Sequence, residues 1–437
     1  MKGYLGSSAS SGIGSTISAG TGSATGYTVH TFTSSGTLNL ASFNLMLTGT
    51  ISGTGSMIDN ASGGKISLIS ANTYTGTTTL SGGTLGIYNS NAISPAALTL
   101  GNNTTLLLGR TISGLTNNIT LNGAATVAFD NTIDFLVVGA GGGGGSDGGG
   151  GGGGGAIVSQ TGIDIGAATT LTAAVGAGGI FGEWSTPYRS GGAGGNSSLS
   201  FGGSTYIATG GSGGISGPSA AGGSGGSGNQ STSNGGSGGA GTSGNTGLNG
   251  GNGPTSSISG VLTNYGGGGG GGVTFTNSGT FTGGAGGAGG GGAGTVISNN
   301  APTSYALAGS PNSGGGGGAG TASYLTATPG VGDGTGYRTP GGSGGSGVVI
   351  VRYLGPDAST NGSGSVGTGL AIGYTLNTFN SSNALTLKAL SATFSGSISG
   401  AGSLTANPSS GGTFLFTSNN SYAGSTTVSS GTYNSEW

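Results

Sequence analysis

Residues able to do acid–base or nucleophilic chemistry are scarce in this chain. Among 437 residues, nine are Asp or Glu, seven are Lys or Arg, one is His and none is Cys. A catalytic triad needs an imidazole between nucleophile and acid, and His30 is the one imidazole. It lies on a predicted strand, and its counterpart in a later copy of the same segment is Asn377. His30 therefore reads as a polar residue on a strand face. Paired carboxylates can hydrolyse a glycoside. The acids are Asp59, Asp130, Asp134, Asp147, Asp164, Glu183, Asp333, Asp357 and Glu436; only Asp130 and Asp134 are close in sequence, flanking a predicted turn. Asp147 and Asp333 stand among glycines, whereas a hard cation wants several clustered oxygens. Val137 opens a Val-Val-Gly-Ala-Gly-Gly-Gly-Gly run. A dinucleotide site would need a helix after those glycines, and more glycine follows instead. No catalytic residue, metal site or cofactor is assigned, and the chain is read as non-enzymatic.

Recognition is better served. Non-glycine inserts interrupt the glycine-rich middle at 180–189, 301–305, 324 and 337–340. They carry Trp184, Tyr188, Arg189, Tyr305, Tyr324, Tyr337 and Arg338, of the types that dominate binding hot spots. These are the candidate receptor-binding residues. Two roles stay open for them: contacting a cell-surface glycan or protein receptor, or packing over the glycine segments.

Composition narrows the partners. Only 4% of residues are charged and the net charge is -2. The cations are scattered, and gripping phosphates requires clustered Lys and Arg, so nucleic acid is excluded as a partner. Absence of cysteine removes disulfides and thiolate metal sites. The N-terminal Met-Lys-Gly-Tyr-Leu has no apolar core of a secretion signal. No apolar run reaches the roughly 18 residues of a membrane span. Ser, Thr, Asn and Gly supply the surface polarity, as in long-lived extracellular fibres.

Two elements must position the inserts. The first is an internal repeat. GYTVHTFTSSGTLNL from Gly26, LTGTISGTGSMIDN from Leu47 and ISLISANTYTGTTTLSGGTL from Ile66 recur. Their second copies are GYTLNTFNSSNALTL from Gly373, FSGSISGAGSLTAN from Phe394 and FLFTSNNSYAGSTTVSSGTY from Phe414. Short alternating runs rich in Thr, Ile, Leu and Val, broken by Gly, Asn and Ser, predict strands. Such units cannot bury an apolar face alone and must stack. The second copy stops where the first runs on, so the chain is expected to be incomplete at its end. The run Asn72, Tyr74, Gly76, Thr78, Leu80, Gly83, Thr84, Leu85, and its copy Asn420, Tyr422, Gly424, Thr426, Val428, Gly431, Thr432, resembles the autotransporter-associated β-strand repeat. That resemblance implies a parallel β-helix of surface adhesins.

The second element is the glycine block, which holds most of the 114 glycines. Phe135-Leu136-Val137-Val138 opens it and Val348-Val349-Ile350-Val351-Arg352-Tyr353 closes it. Unbroken glycine runs fill 141–145, 148–155, 266–272 and 314–318. A flexible linker has no use for such apolar bookends, so the runs are expected to be ordered. Extended three-residue helices lack internal hydrogen bonds, and without Cβ atoms neighbours can approach closely enough to share lateral ones. The opening, the Val175–Gly179 motif and the Gly-Ser-Gly-Val-Val-Ile-Val-Arg-Tyr close resemble the glycine-rich domain of phage tail-fibre and adhesin proteins. This implies a β-sandwich carrying polyglycine II helices.

The expected fold is all-β: solenoid-like repeats flanking a glycine-rich sandwich with polyglycine II helices. Expected boundaries are 1–25 lead-in, 26–134 first repeat copy, 135–353 glycine-rich domain, 354–372 linker and 373–437 second copy. The expected role is a structural or adhesive fibre, at a virion tail or cell surface, presenting recognition loops. A homo-oligomer, trimeric in fibres of this kind, fits that role. Alternatives are a matrix protein or autotransporter passenger without a receptor, an ice-binding polyglycine bundle, and a glycan depolymerase.

Overall fold

The computed structural model describes residues 10–11, 15–19, 28–32, 38–39, 44–183, 189–227, 232–275, 279–298, 301–323, 338–409 and 411–435. Across them the chain is all-β; the helical element is a 3-10 turn at Gly369–Ala371.

Residues 44–131 wind as coils of a β-solenoid. Strand Leu45–Leu47 pairs in parallel with Met57–Leu68, and that strand with Thr78–Ile87. Leu98–Leu100 and Thr104–Leu108 follow, then Ile119–Leu121 and Ala125–Phe129. Bonds between successive coils typically join residues 21 apart. Side chains alternate across a strand, so Thr104–Leu108 buries every second residue. The inward leucines, isoleucines and valines of successive coils stack into one continuous core.

The repeat motif has a physical role at each position. Asn72 Oδ1 accepts from Ile51 N at 2.7 Å, and Asn420 Oδ1 accepts from Ile398 N at 2.9 Å. Each asparagine thus ties its coil to the one before. The hydroxyls of Tyr74 and Tyr422 bond to Thr78 and Thr426 respectively. A Cβ on Gly76 would lie 2.3 Å from Gly55 O, and one on Gly424 the same distance from Gly402 O. The coils pass too closely there for any side chain.

The solenoid does not end at Phe129. Ile119–Leu121 pairs in parallel with Ile398–Gly400, and Ala125–Phe129 with Leu404–Asn407. A bond that elsewhere spans 21 residues here spans 279. The glycine-rich unit is therefore an insertion between two adjacent coils of one solenoid. Phe394 stacks on Phe416 with centroids 4.6 Å apart, and Phe129 meets Phe414 at 4.8 Å, so the core runs on across the insertion point.

The inserted unit is founded on two antiparallel sheets. In the first, Thr132–Val138 lies between Ile157–Asp164 and Val348–Leu354, and Val348–Leu354 pairs with Tyr374–Phe379. In the second, Thr170–Ala174 lies between Ser197–Phe201 and Asn383–Thr386. Phe135, Val137, Val349 and Val351 meet Leu171, Leu199, Phe201 and Leu385 in one buried cluster. Leu136, Val138, Val348 and Ile350 point the other way and are covered by Ile258 and Tyr265. Strand Ser365–Val366, in the stretch read as a linker, adds an edge to the first sheet. Residues 374–386, which sequence alignment groups with the second repeat copy, thus complete both sheets before the coils resume at Ser391–Phe394.

Thr132–Val138 and Thr170–Ala174 lead into glycine-rich runs, and Ile157–Asp164, Ser197–Phe201 and Val348–Leu354 follow them. Lateral bonds from the 139–145 run return to one neighbour every third residue. Gly139, Gly142 and Gly145 donate to Ala156, Gly153 and Gly150. Ala140 and Gly143 donate to Gly195 and Gly192, and Gly141 and Gly144 to Gly345 and Gly342. The 149–155 run touches six neighbours. It donates to Ile215, Gly239 and Gly317, and accepts from Gly142, Gly223 and Gly269. Every side of such a run meets backbone, and a Cβ on Gly150, Gly151, Gly152 or Gly153 would fall 2.0–2.2 Å from a carbonyl oxygen. Peripheral segments meet fewer neighbours and expose every third residue, as at Ser212 and Ile215 or Ala221, Ser224 and Ser227. Unbroken glycine thus marks the interior of the array, and Gly-Gly-X its rim.

Candidate functional site

Glycine runs leaving the two sheets turn back at the far end of the array, opposite the solenoid. A chain of bonds joins those turns. Ser216 Oγ accepts from Ser146 N at 2.8 Å and donates to Arg189 O at 2.8 Å. Ser219 and Ser243 hydroxyls meet at 2.7 Å. Thr274 N donates to Thr242 O at 2.8 Å, and Thr274–Phe275 pairs in parallel with Ala322–Ser323. Thr280–Thr282, Val296–Ser298 and Ala301–Ser304 form a small sheet beside them.

The floor of this tip is packed. Val273, Phe275, Phe281 and Ile297 form a buried cluster in which the Phe275 and Phe281 rings stack at 4.0 Å. Beside it Thr295, Thr321 and Thr339 are buried; Thr295 and Thr339 hydroxyls lie 3.0 Å apart, and Thr339 Oγ1 accepts from Thr321 N. Asp147 sits in the turn between the two central runs with φ 60° and no exposed surface. Arg338 Nε lies 3.5 Å from its Oδ1, and the Arg338 side chain keeps 32% of its surface exposed.

Three of the seven sequence candidates fall among the described residues, and all three are at this end. Arg189 pairs with Glu183 across the base of the insert, both side chains well exposed. Arg338 pairs with Ala322 at the base of the 323–337 stretch. Tyr305 follows the Ala301–Ser304 strand and is 64% exposed. Trp184, Tyr188, Tyr324 and Tyr337 lie outside the described residues. Each belongs to a segment whose described flanks, Glu183 and Arg189 or Ala322 and Arg338, are at the tip. Sequence reading missed the Asp147–Arg338 contact, which joins residues far apart in the chain. The signal was a lone carboxylate between two glycine runs.

Around the rim stand exposed Ile180, Phe181, Ile215 and Leu307. They occupy solvent-facing positions where Ser or Ala serve elsewhere. The tip thus offers apolar and aromatic surface and two arginines over a packed floor.

A small cleft lies at the other end, between solenoid and insert, lined by Tyr88, Arg110, Asp130, Asn131 and Tyr353. Its polar groups are engaged with one another. Tyr88 OH and Lys65 Nζ both donate to Asp130 Oδ2, the latter at 2.8 Å. Arg110 donates to Asn131 and to Lys388 O, and Asn131 Nδ2 donates to Asp164 Oδ1 at 3.0 Å. Burial pushes the Tyr88 phenol up, with the Asp130 charge adding to it. Burial alone would raise Asp130, but the Lys65 ammonium and the surrounding donors hold it below the usual carboxylate range. Asp134 pairs separately with Arg352 at 2.9 Å. The two acids considered as a glycosidase pair thus each hold a cation of their own, and the cleft ties the insert to its stalk.

Architecture and tip together define a class: a β-solenoid carrying an inserted glycine-rich unit. The family model for the glycine-rich domain matches residues 116–354, and the chain belongs to that family. Comparison with curated proteins found no match. No helix among the described residues is long and apolar enough to cross a membrane.

Proposed function

We propose that this protein is a non-enzymatic adhesive fibre component, at a virion tail or cell surface, that holds a receptor-binding tip away from a solenoid stalk. The two sheets sharing one core are read as a β-sandwich. The threefold lateral bonding of the glycine runs is read as polyglycine II packing, in which each helix borrows its hydrogen bonds from neighbours. The ligand is a cell-surface glycan or protein met by Phe181, Arg189, Tyr305 and Arg338, with Trp184, Tyr188, Tyr324 and Tyr337 in the same segments. One observation carries this reading: the described flanks of the non-glycine inserts, Glu183 with Arg189 and Ala322 with Arg338, lie at the end away from the solenoid beside exposed Phe181 and Tyr305.

The test uses the labelled full chain and bacterial cells from the same source. Replacing Phe181, Arg189 and Tyr305 together by Ser should abolish saturable binding while leaving the melting transition unchanged, because all three are exposed. Equal binding by parent and variant would refute the assignment of the tip. Absence of binding by the parent would favour a passive stalk or matrix role.

A further inference from the structure

We propose that the strands Ser15–Ala19, Thr28–Phe32 and Leu38–Asn39 are a second sheet-completing set, built to close the two sheets of another glycine-rich unit of this same architecture. The structure shows what the later copy of this sequence does. Tyr374–Phe379 hydrogen-bonds along Val348–Leu354 on one side and Ser365–Val366 on the other, and Asn383–Thr386 pairs with Thr170–Ala174. The insert's own sheets are therefore closed by 365–386.

The earlier copy repeats the hairpin in the same register. Ser18 faces Val29 and Ala19 faces Thr28, as Ser365 faces Leu376 and Val366 faces Thr375. Among the described residues, Thr28–Phe32 pairs with Ser15–Ala19 alone, and Leu38–Asn39 with Ser10–Ser11 alone. No described strand lies on the edges that correspond to those bound by Val348–Leu354 and Thr170–Ala174.

The adjoining coil says the same. Leu45–Leu47 and Ser52–Gly53 match Ser391–Phe394 and Ile398–Gly400 in the repeat. The later pair stacks on Gly114–Leu115 and Ile119–Leu121, the last coil before the insert. Among the described residues, the earlier pair has strands on its following side only, at Met57–Leu68 and Thr73–Tyr74. One partner satisfies all of these edges together: a preceding coil bearing a glycine-rich insert. An unpaired strand edge is a template for added strands, and here the template has the register of a known socket. Such a partner, set head to tail, would have its insert locked by this hairpin as 365–386 lock the described insert.

Two measurements test this. In the first, residues 362–387 of the full chain are replaced by residues 15–40, with a scrambled 362–387 as control. The swapped chain should keep the cooperative melting transition and protease resistance that the scrambled chain loses. In the second, residues 44–361 are fused ahead of Ser15 of the full chain, and amide hydrogen exchange is followed at Thr28–Phe32. Closure of the added unit should slow exchange there by at least about tenfold relative to the single chain, toward the protection of Tyr374–Phe379. Loss of the transition in the swapped chain equal to that in the scrambled one, or unchanged exchange at Thr28–Phe32 in the fused chain, overturns the proposal.

Discussion

Replacing Gly152 by Ala should strongly destabilise the glycine array, although the change adds one methyl group. The new Cβ would lie 2.0 Å from Gly142 O and 2.8 Å from Gly143 O, both backbone atoms, where ordinary contact begins at 3.4 Å. Neither atom can rotate away, so the runs must part by more than 1 Å. Three bonds join these two runs, from Gly139 to Ala156 at 2.9 Å, and from Gly142 to Gly153 and Gly145 to Gly150 at 2.8 Å. Stretched by that amount they leave hydrogen-bonding range. At about 1 kcal/mol net each, and with dry amides left unpaired, the loss is about 3–5 kcal/mol. Restricting the unfolded chain returns only about 0.4–1 kcal/mol. The net is a large part of the 5–15 kcal/mol that holds a typical domain together. Gly49→Ala and Gly55→Ala are the controls, since nothing lies within 4 Å of either added Cβ. Those two should be neutral or stabilise by up to about 1 kcal/mol. Urea titration read by protease resistance measures all three variants. A Gly152→Ala chain within about 0.5 kcal/mol of the parent would refute close packing of the runs, since that is the scatter of ordinary surface substitutions.

Other expectations follow from the same contacts. Asn72→Ala and Asn420→Ala each remove an acceptor from a partly buried amide between coils, and should each cost about 1–2 kcal/mol in solenoid unfolding. Asp130→Asn should loosen the junction by about 2 kcal/mol, because Lys65 and Tyr88 lose their shared carboxylate. Asp130 is depressed in the folded chain, so the unfolded chain binds its proton first. Its contribution is full above the ordinary Asp value of about 4 and fades as pH falls through the lower folded value. A stability–pH profile should show that acid loss in the parent and lack it in the variant. Arg338→Ala leaves buried Asp147 without this cation and should speed amide exchange in the 145–149 turn, whereas Arg338→Lys restores part of the protection.

The sequence by itself determined the local rules. Alternation within Thr104–Leu108 and the Asn-x-Tyr-x-Gly spacing are one-coil patterns, legible because each coil repeats the same contacts with its neighbour. Apolar bookends at Phe135–Val138 and Val348–Tyr353 announced a folded unit, because a strand buried on both faces cannot end in a solvated linker. What sequence could not decide was which distant segments meet. That 119–129 would stack on 398–407 is invisible along the chain, since coil stacking depends on shape and register rather than on separation. The same holds for 374–386, which look like more repeat and instead close the insert's sheets. Unbroken glycine at 148–155 and Gly-Gly-Ser at 222–227 differ only slightly as strings. The tertiary structure gives the difference its cause: a run with six neighbours has no direction in which a Cβ can point, while a run at the rim has one residue in three facing water. The tip was half legible for the same reason. Its exposed aromatics stood out by type, whereas the floor of Asp147, Arg338, Thr295 and Thr339 exists only once the runs are laid side by side.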